Sequence, residues 1–238
     1  MEAKERIILA LDVSSENEAV GLVRELHDFV GAFKVGLELF NSTGPEIFDT
    51  LKAAGAERIF YDGKFHDIPN TVAKAARAVV HMGVWMFNMH TSGGTAMMRA
   101  AVDAATDEAE KLGVEMPLII GVTVLTSISE EVLHHELSVS GLMENQVTHL
   151  AQLAQGSGLS GVVASPHEID HIKSACGPEF LVVTPGVRPA WASKDDQKRI
   201  MTPGEALASG SDFMVIGRAI TGADDRIAAA QKIVDELG

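Results

Sequence analysis

One cysteine, Cys176, stands alone among 238 residues, so the chain cannot form an internal disulfide. That fits a reducing compartment, and no motif surrounds the thiol. Basic residues are also few: 19 Lys and Arg against 33 Asp and Glu give a formal net charge of −14. Broad binding to nucleic acid or to an anionic membrane depends on positive surface that attracts phosphate, so neither partner is expected. A small phosphorylated ligand is a different matter, because it needs only a few cations gathered in one place. No apolar run suggests a membrane span. The first one follows the mixed-charge segment Met1-Glu2-Ala3-Lys4-Glu5-Arg6 and stops at Asp12, resembling neither a signal peptide nor a membrane anchor. A cytoplasmic protein is expected. Finally, no linker or shift in composition divides the chain, and one domain over residues 1–238 is the simplest organisation.

What the chain has instead is repetition. Short apolar runs alternate with helical stretches: Ile7–Leu11 then Asn17–Phe29, Ala32–Val35 then Pro45–Ala54, Arg58–Tyr61 then Pro69–Met82, Trp85–Met89 then Ala96–Leu112. The series continues with Leu118–Val124 then Asn145–Gln155, Gly161–Ala164 then Glu168–Ala175, Phe180–Thr184 then Pro203–Ala208, and Phe213–Ile216 then Asp224–Leu237. Continuous apolar runs such as Ile7-Ile8-Leu9-Ala10-Leu11 indicate strands buried on both faces, as in parallel sheets covered by helices. Eight such units in a chain of this length predict a (β/α)8 TIM barrel, with a doubly wound open sheet as the rival fold. The long connections Thr126–Glu144 and Gly186–Met201 are candidate binding loops.

A barrel of this type carries its chemistry where strands end, at the carboxyl face. Polar residues gather at those positions: Asp12 after strand 1, Lys34 in strand 2, Asp62 and Lys64 after strand 3, and Thr126-Ser127 after strand 5. Pro185-Gly186-Val187-Arg188 follows strand 7, and Gly217-Arg218 follows strand 8. Unpaired buried charge is strongly unfavourable, so a common polar site is the economical explanation for Asp12 and Lys34. Within Phe60-Tyr61-Asp62-Gly63-Lys64-Phe65-His66-Asp67-Ile68-Pro69-Asn70-Thr71, strand alternation puts Asp62 and Lys64 on one face with Cα atoms about 6.6 Å apart. Asp67 falls just before Pro69 and suits a helix start, with Thr71 near its face. The loops after strands 7 and 8 hold phosphate in many barrels. Arg188, Gln197, Gly217 and Arg218 are the candidates for that role, with the long loop after strand 7 as a lid.

One further pattern is literal: His167-Glu168-Ile169-Asp170-His171 reads H-E-x-x-H, the zinc-protease spacing. The short helix before Gly177-Pro178 and the lack of a third ligand make coincidence the expected explanation.

Taken together, Asp62-x-Lys64-x-x-Asp67-Ile68-Pro69-Asn70-Thr71 resembles the signature of the orotidine 5'-monophosphate decarboxylases. The resemblance extends over the chain through Leu11-Asp12, Phe33-Lys34-Val35-Gly36, Thr123-Val124-Leu125-Thr126-Ser127, Thr184-Pro185-Gly186-Val187-Arg188 with Asp196-Gln197-Lys198-Arg199, and Ile216-Gly217-Arg218. No motif position departs; Gly63 and Phe65 are variable letters. The resemblance implies decarboxylation of orotidine 5'-monophosphate to uridine 5'-monophosphate, with no metal and no cofactor. Lys64 would stabilise and protonate the C6 carbanion within an array of Lys34, Asp62 and Asp67. Asp12 and Lys34 would reach the ribose, Thr126 and Ser127 the pyrimidine, and Arg188, Gln197, Gly217 and Arg218 the phosphate, with Ile68 and Pro185 completing the binding set. It also implies a homodimer whose sites are shared, Asp67 and Thr71 coming from the neighbour. The alternatives are a magnesium-dependent sugar-phosphate decarboxylase or aldolase of the same barrel superfamily, and a non-catalytic phosphate-binding barrel.

Overall fold

The computed structural model describes residues 1–192 and 201–238. Eight parallel strands close into a barrel in sequence order: β1 (Ile7–Ala10), β2 (Ala32–Val35), β3 (Ile59–Phe65), β4 (Met86–His90), β5 (Leu118–Val122), β6 (Gly161–Val163), β7 (Leu181–Pro185) and β8 (Phe213–Ile216). The open-sheet rival is thereby set aside, since β8 pairs with β1 through Ile8↔Val215. Helices follow the strands: α1 (Glu16–Leu26), α2 (Leu37–Thr43), α3 (Ile47–Ala53), α4 (Pro69–His81), α5 (Gly94–Leu112), α6 (Glu130–His135), α7 (Met143–Gly156), α8 (Ile169–Cys176), α9 (Pro203–Ala208), α10 (Arg218–Thr221) and α11 (Arg226–Leu237).

Two details differ from the sequence reading. The helix expected over Pro45–Ala54 is α3, and a further helix, α2, precedes it, closed by Gly44, which turns the chain at φ 81° before Pro45. The connection 126–144 contains α6, started by Ser129, whose hydroxyl accepts from the Val132 N–H.

Strand alternation divides the core in two. Ile7 and Leu9 face outward into the layer under the helices, whereas Ile8, Ala32, Phe60, Met86, Ile120, Val183 and Phe213 fill the barrel interior. Side chains two residues further along a strand face the same way. Ala10 and then Asp12 follow Ile8; Lys34 follows Ala32, Asp62 follows Phe60, and Asn88 follows Met86. The apolar plug therefore becomes the floor of a polar site, in which those charges meet each other, Asn88 and the open mouth.

Candidate active site

Four charged side chains from three strands form a chain of alternating sign. Lys34 Nζ lies 3.1 Å from Asp12 Oδ1 and 3.5 Å from Asp62 Oδ2, and Lys64 Nζ lies 2.6 Å from Asp62 Oδ1. The Lys34 and Asp62 side chains are only 11% and 13% exposed, against 30% for Lys64 and 63% for Asp12. The inner pair is thus buried and the outer two members face the mouth. Burial on its own pushes the Asp62 carboxyl upward, but Lys34, Lys64 and the hydrogen bonds from Lys64 and Asn88 outweigh it and hold it below the ordinary carboxylate range. A depressed carboxylate contributes stability above its unfolded value and loses it as pH falls through the folded one, so this part of the fold weakens only in acid.

Regular alternation does not carry Lys64 to its place. Its backbone has φ +47°, and the pairing of β3 with β4 shifts between Tyr61 and Phe65. A residue with a side chain in this region is strained, and such strain collects where function fixes the backbone. The Lys64 N–H donates to Asn88 Oδ1 at 2.7 Å, and Asn88 Nδ2 donates to Asp62 Oδ1 at 2.7 Å. Asn88 escaped the sequence reading. Its signal was the one that picked out Lys34: a polar letter inside an apolar strand, here Trp85-Met86-Phe87-Asn88-Met89.

Asp67 is not in the first turn of a helix, as its spacing suggested. The N-cap of α4 is Ile68, with Pro69 opening the helix, and Asp67 precedes both, its Oδ1 accepting from the Ile68 N–H at 2.6 Å. Every residue from His66 to Thr71 is exposed, and Ile68 is 65% exposed despite being aliphatic. Among the described residues, no hydrogen bond or ion pair joins Asp67, Ile68 or Thr71 to the Lys34, Asp62 and Lys64 cluster of the same chain; the fourth charge in that cluster is Asp12.

Arg188 and Arg218 share a pocket of about 200 Å³ with Trp191, Ala192, Ala219, Gly222 and Ala223, between the segments after β7 and β8. Arg218 is the first residue of α10, and a Cβ on Gly217 would meet only Ala10 Cβ at 3.5 Å and Asp12 Oδ2 at 3.6 Å. A Cβ at 217 would make ordinary contacts with its described neighbours, so what the glycine leaves is space beside Asp12. Gln197 lies outside the described residues, as does half of the expected lid over 186–201. Thr126, Ser127 and Pro185 line a larger open cavity of about 850 Å³, together with Ser165, Glu168 and His171.

The H-E-x-x-H residues span a change of helix type. Pro166–Glu168 form a 3-10 turn and α8 begins only at Ile169. Glu168 Oε2 accepts from the Ser165 N–H at 2.9 Å, and His171 Nε2 lies 3.4 Å from Glu144. Among the described residues, no group of three or more His, Cys, Asp or Glu is placed to hold a metal ion, so the spacing lacks the further ligand a zinc site requires.

Burial pushes the Glu168 carboxyl up to about 7, against the Ser165 N–H and His171, which favour its ionised form. A carboxyl raised in the folded state keeps its proton longer there, so stability falls as pH rises from about 4.5 to 7, by about 3 kcal/mol in full. Glu168→Gln keeps an oxygen for Ser165 without the charge. It is expected to melt several degrees above the parent at pH 8 and level with it at pH 5, roughly the scale for a chain of this size. Thermal melts across pH check this; equal melting at pH 8 would show that the charge is already well compensated.

Comparisons with known proteins bear on the whole chain. A family model described as "Orotidine 5'-phosphate decarboxylase / HUMPS family" matches residues 5–233. The chain is 55% identical over 238 residues to the orotidine 5'-phosphate decarboxylase of Syntrophomonas wolfei, covering 100% of this chain and 99% of that protein. It is 52% identical over 237 residues to the enzyme of the same name from Moorella thermoacetica, covering 100% and 94%. Among solved structures, that of orotidine 5'-phosphate decarboxylase from Lactobacillus acidophilus superposes with a TM-score of 0.86 at 38% identity, covering 98% of each chain.

Proposed function

The chain belongs to the orotidine 5'-phosphate decarboxylase / HUMPS family, and from that membership we propose that it converts orotidine 5'-monophosphate to uridine 5'-monophosphate and CO2 in pyrimidine synthesis, using neither metal nor organic cofactor. The observation that carries this reading is the Lys64 ammonium, held 2.6 Å from an Asp62 carboxylate that Lys34 and Asn88 also hold. Breaking the C6–carboxylate bond leaves its electron pair on C6, in the ring plane and without a π sink. CO2 departs, the Lys64 ammonium stabilises the carbanion, and one of its protons moves to C6; neutral Lys64 then regains a proton from water. Since the array is in place before reaction, the charge that develops is met without reorganisation.

We assign the phosphate to Arg188, Gln197, Gly217 and Arg218, the ribose to Asp12 and Lys34, and the pyrimidine region to Thr126, Ser127 and Pro185. Phosphate binding remote from C6 can then be expressed in the transition state. We further propose a two-fold homodimer in which Asp67, Ile68 and Thr71 of one protomer enter the other's site. The exposed run His66–Thr71, with its uncovered Ile68, supports this, and an isologous contact makes the exchange reciprocal. Residues 1–238 are read as one barrel domain. No helix among the described residues is long and apolar enough to cross a membrane, and we place the protein in the cytoplasm.

The test is the absorbance change of orotidine 5'-monophosphate mixed with purified protein. Turnover is expected to be the same before and after exhaustive chelation with EDTA. Activity lost to EDTA and restored by Mg2+ would move the assignment to the sugar-phosphate branch.

A further inference from the structure

Asn88 is 1% exposed, and both ends of its amide are engaged within the charge array. We propose that Asn88 is a positioning residue for the decarboxylation, locking the Lys64 backbone and the Asp62 carboxylate into one arrangement without itself touching substrate. This rests on the reading of Lys64 as the group that meets the C6 carbanion, and adds the device that holds it there.

Three observations converge. Lys64 occupies the left-handed region at φ +47°, which a residue with a side chain keeps only when its surroundings fix it. The β3–β4 register shifts between Tyr61 and Phe65, and at that interruption the Lys64 N–H is taken by a side chain, Asn88 Oδ1 at 2.7 Å. The other end of the same amide, Nδ2, donates at 2.7 Å to Asp62 Oδ1, the oxygen that also receives Lys64 Nζ at 2.6 Å. A reversed amide would set an oxygen against that carboxylate and a nitrogen against an N–H, so only one orientation is satisfied. One short, buried side chain therefore fixes both the base of the Lys64 side chain and the anion that aims its tip.

Asn88→Asp preserves the size and the acceptor for Lys64 but replaces the donor to Asp62 with a carboxylate. Two carboxylates sharing a site raise one pKa, and the protonated acid is a neutral mimic of the amide, with one donor and one acceptor. The groups around the position are Asp62 and Lys64 on β3, Lys34 through Asp62, His90 on β4, and His66, whose ring lies 5.4 Å from that of His90. All are common to variant and parent, so a difference between the two pH profiles isolates residue 88.

The experiment compares parent, Asn88→Asp and Asn88→Ala on orotidine 5'-monophosphate across pH, with uridine 5'-monophosphate affinity and melting temperature as checks on folding. The expected result for Asn88→Asp is a kcat about 100-fold lower at pH 8, the scale of a misplaced catalytic group. Its KM should stay within about twofold, and its rate should recover as pH falls, along a limb the parent lacks. Asn88→Ala should lose a comparable kcat with no such recovery; if it does not fold, the Asp variant decides alone. Parental kcat and a parental pH profile in Asn88→Asp would reduce Asn88 to packing and overturn the proposal. A parent protein with no turnover would instead sink the functional reading, and this proposal with it.

Discussion

Lys64→Ala is expected to lower kcat on orotidine 5'-monophosphate by about 10⁴ or more, because it removes both the proton donor and the charge facing the carbanion. Binding of uridine 5'-monophosphate should survive, since Arg188 and Arg218 lie in their own pocket after β7 and β8. The comparison that gives this result meaning is Arg218→Ala. Losing a charged contact to phosphate is expected to raise KM by about 10- to 100-fold, with a smaller effect on kcat. Initial rates over a range of substrate concentration separate the two. Substantial turnover in Lys64→Ala would remove Lys64 from the proton transfer, and a pure kcat loss in Arg218→Ala would move the phosphate elsewhere.

Mixing two inactive proteins should restore activity. If Asp67 serves the neighbouring protomer, Lys64→Ala and Asp67→Ala are each nearly inactive alone, yet a heterodimer holds one site with both native residues and one lacking both. Random remixing through mild denaturation makes about half the dimers heterodimers, each with one working site, so about a quarter of the parental activity should return. The structure supplies the motive: Asp67 precedes α4 on an exposed stretch, apart from the Asp12, Lys34, Asp62 and Lys64 cluster of its own chain. No recovery despite demonstrated subunit exchange would show that Asp67 serves its own chain's site, or that the protein works as a monomer.

The sequence by itself determined the eight strand-and-helix units, because strands buried on both faces must be apolar throughout and each must be followed by a covering helix, whereas the pairing of β8 with β1 that closes them into a barrel came only from the tertiary structure. It also marked Lys34 and Asp62, since charge beside an otherwise apolar strand has no stable alternative to a shared polar site. It was less informative wherever the answer depended on which neighbours meet. Alternation placed Asp62 and Lys64 on one face, but the bulge at β3 and the φ +47° of Lys64 arise from how β3 pairs with β4, which no local pattern records. Asn88 became meaningful only when β4 was seated beside β3, because an amide gains its role from the donor and acceptor it meets. His167 and His171 make the same point in reverse. Their spacing suggests a metal site, yet among the described residues no group of three or more ligands gathers to hold a metal, since ligation depends on which groups meet in space and not on intervals along the chain.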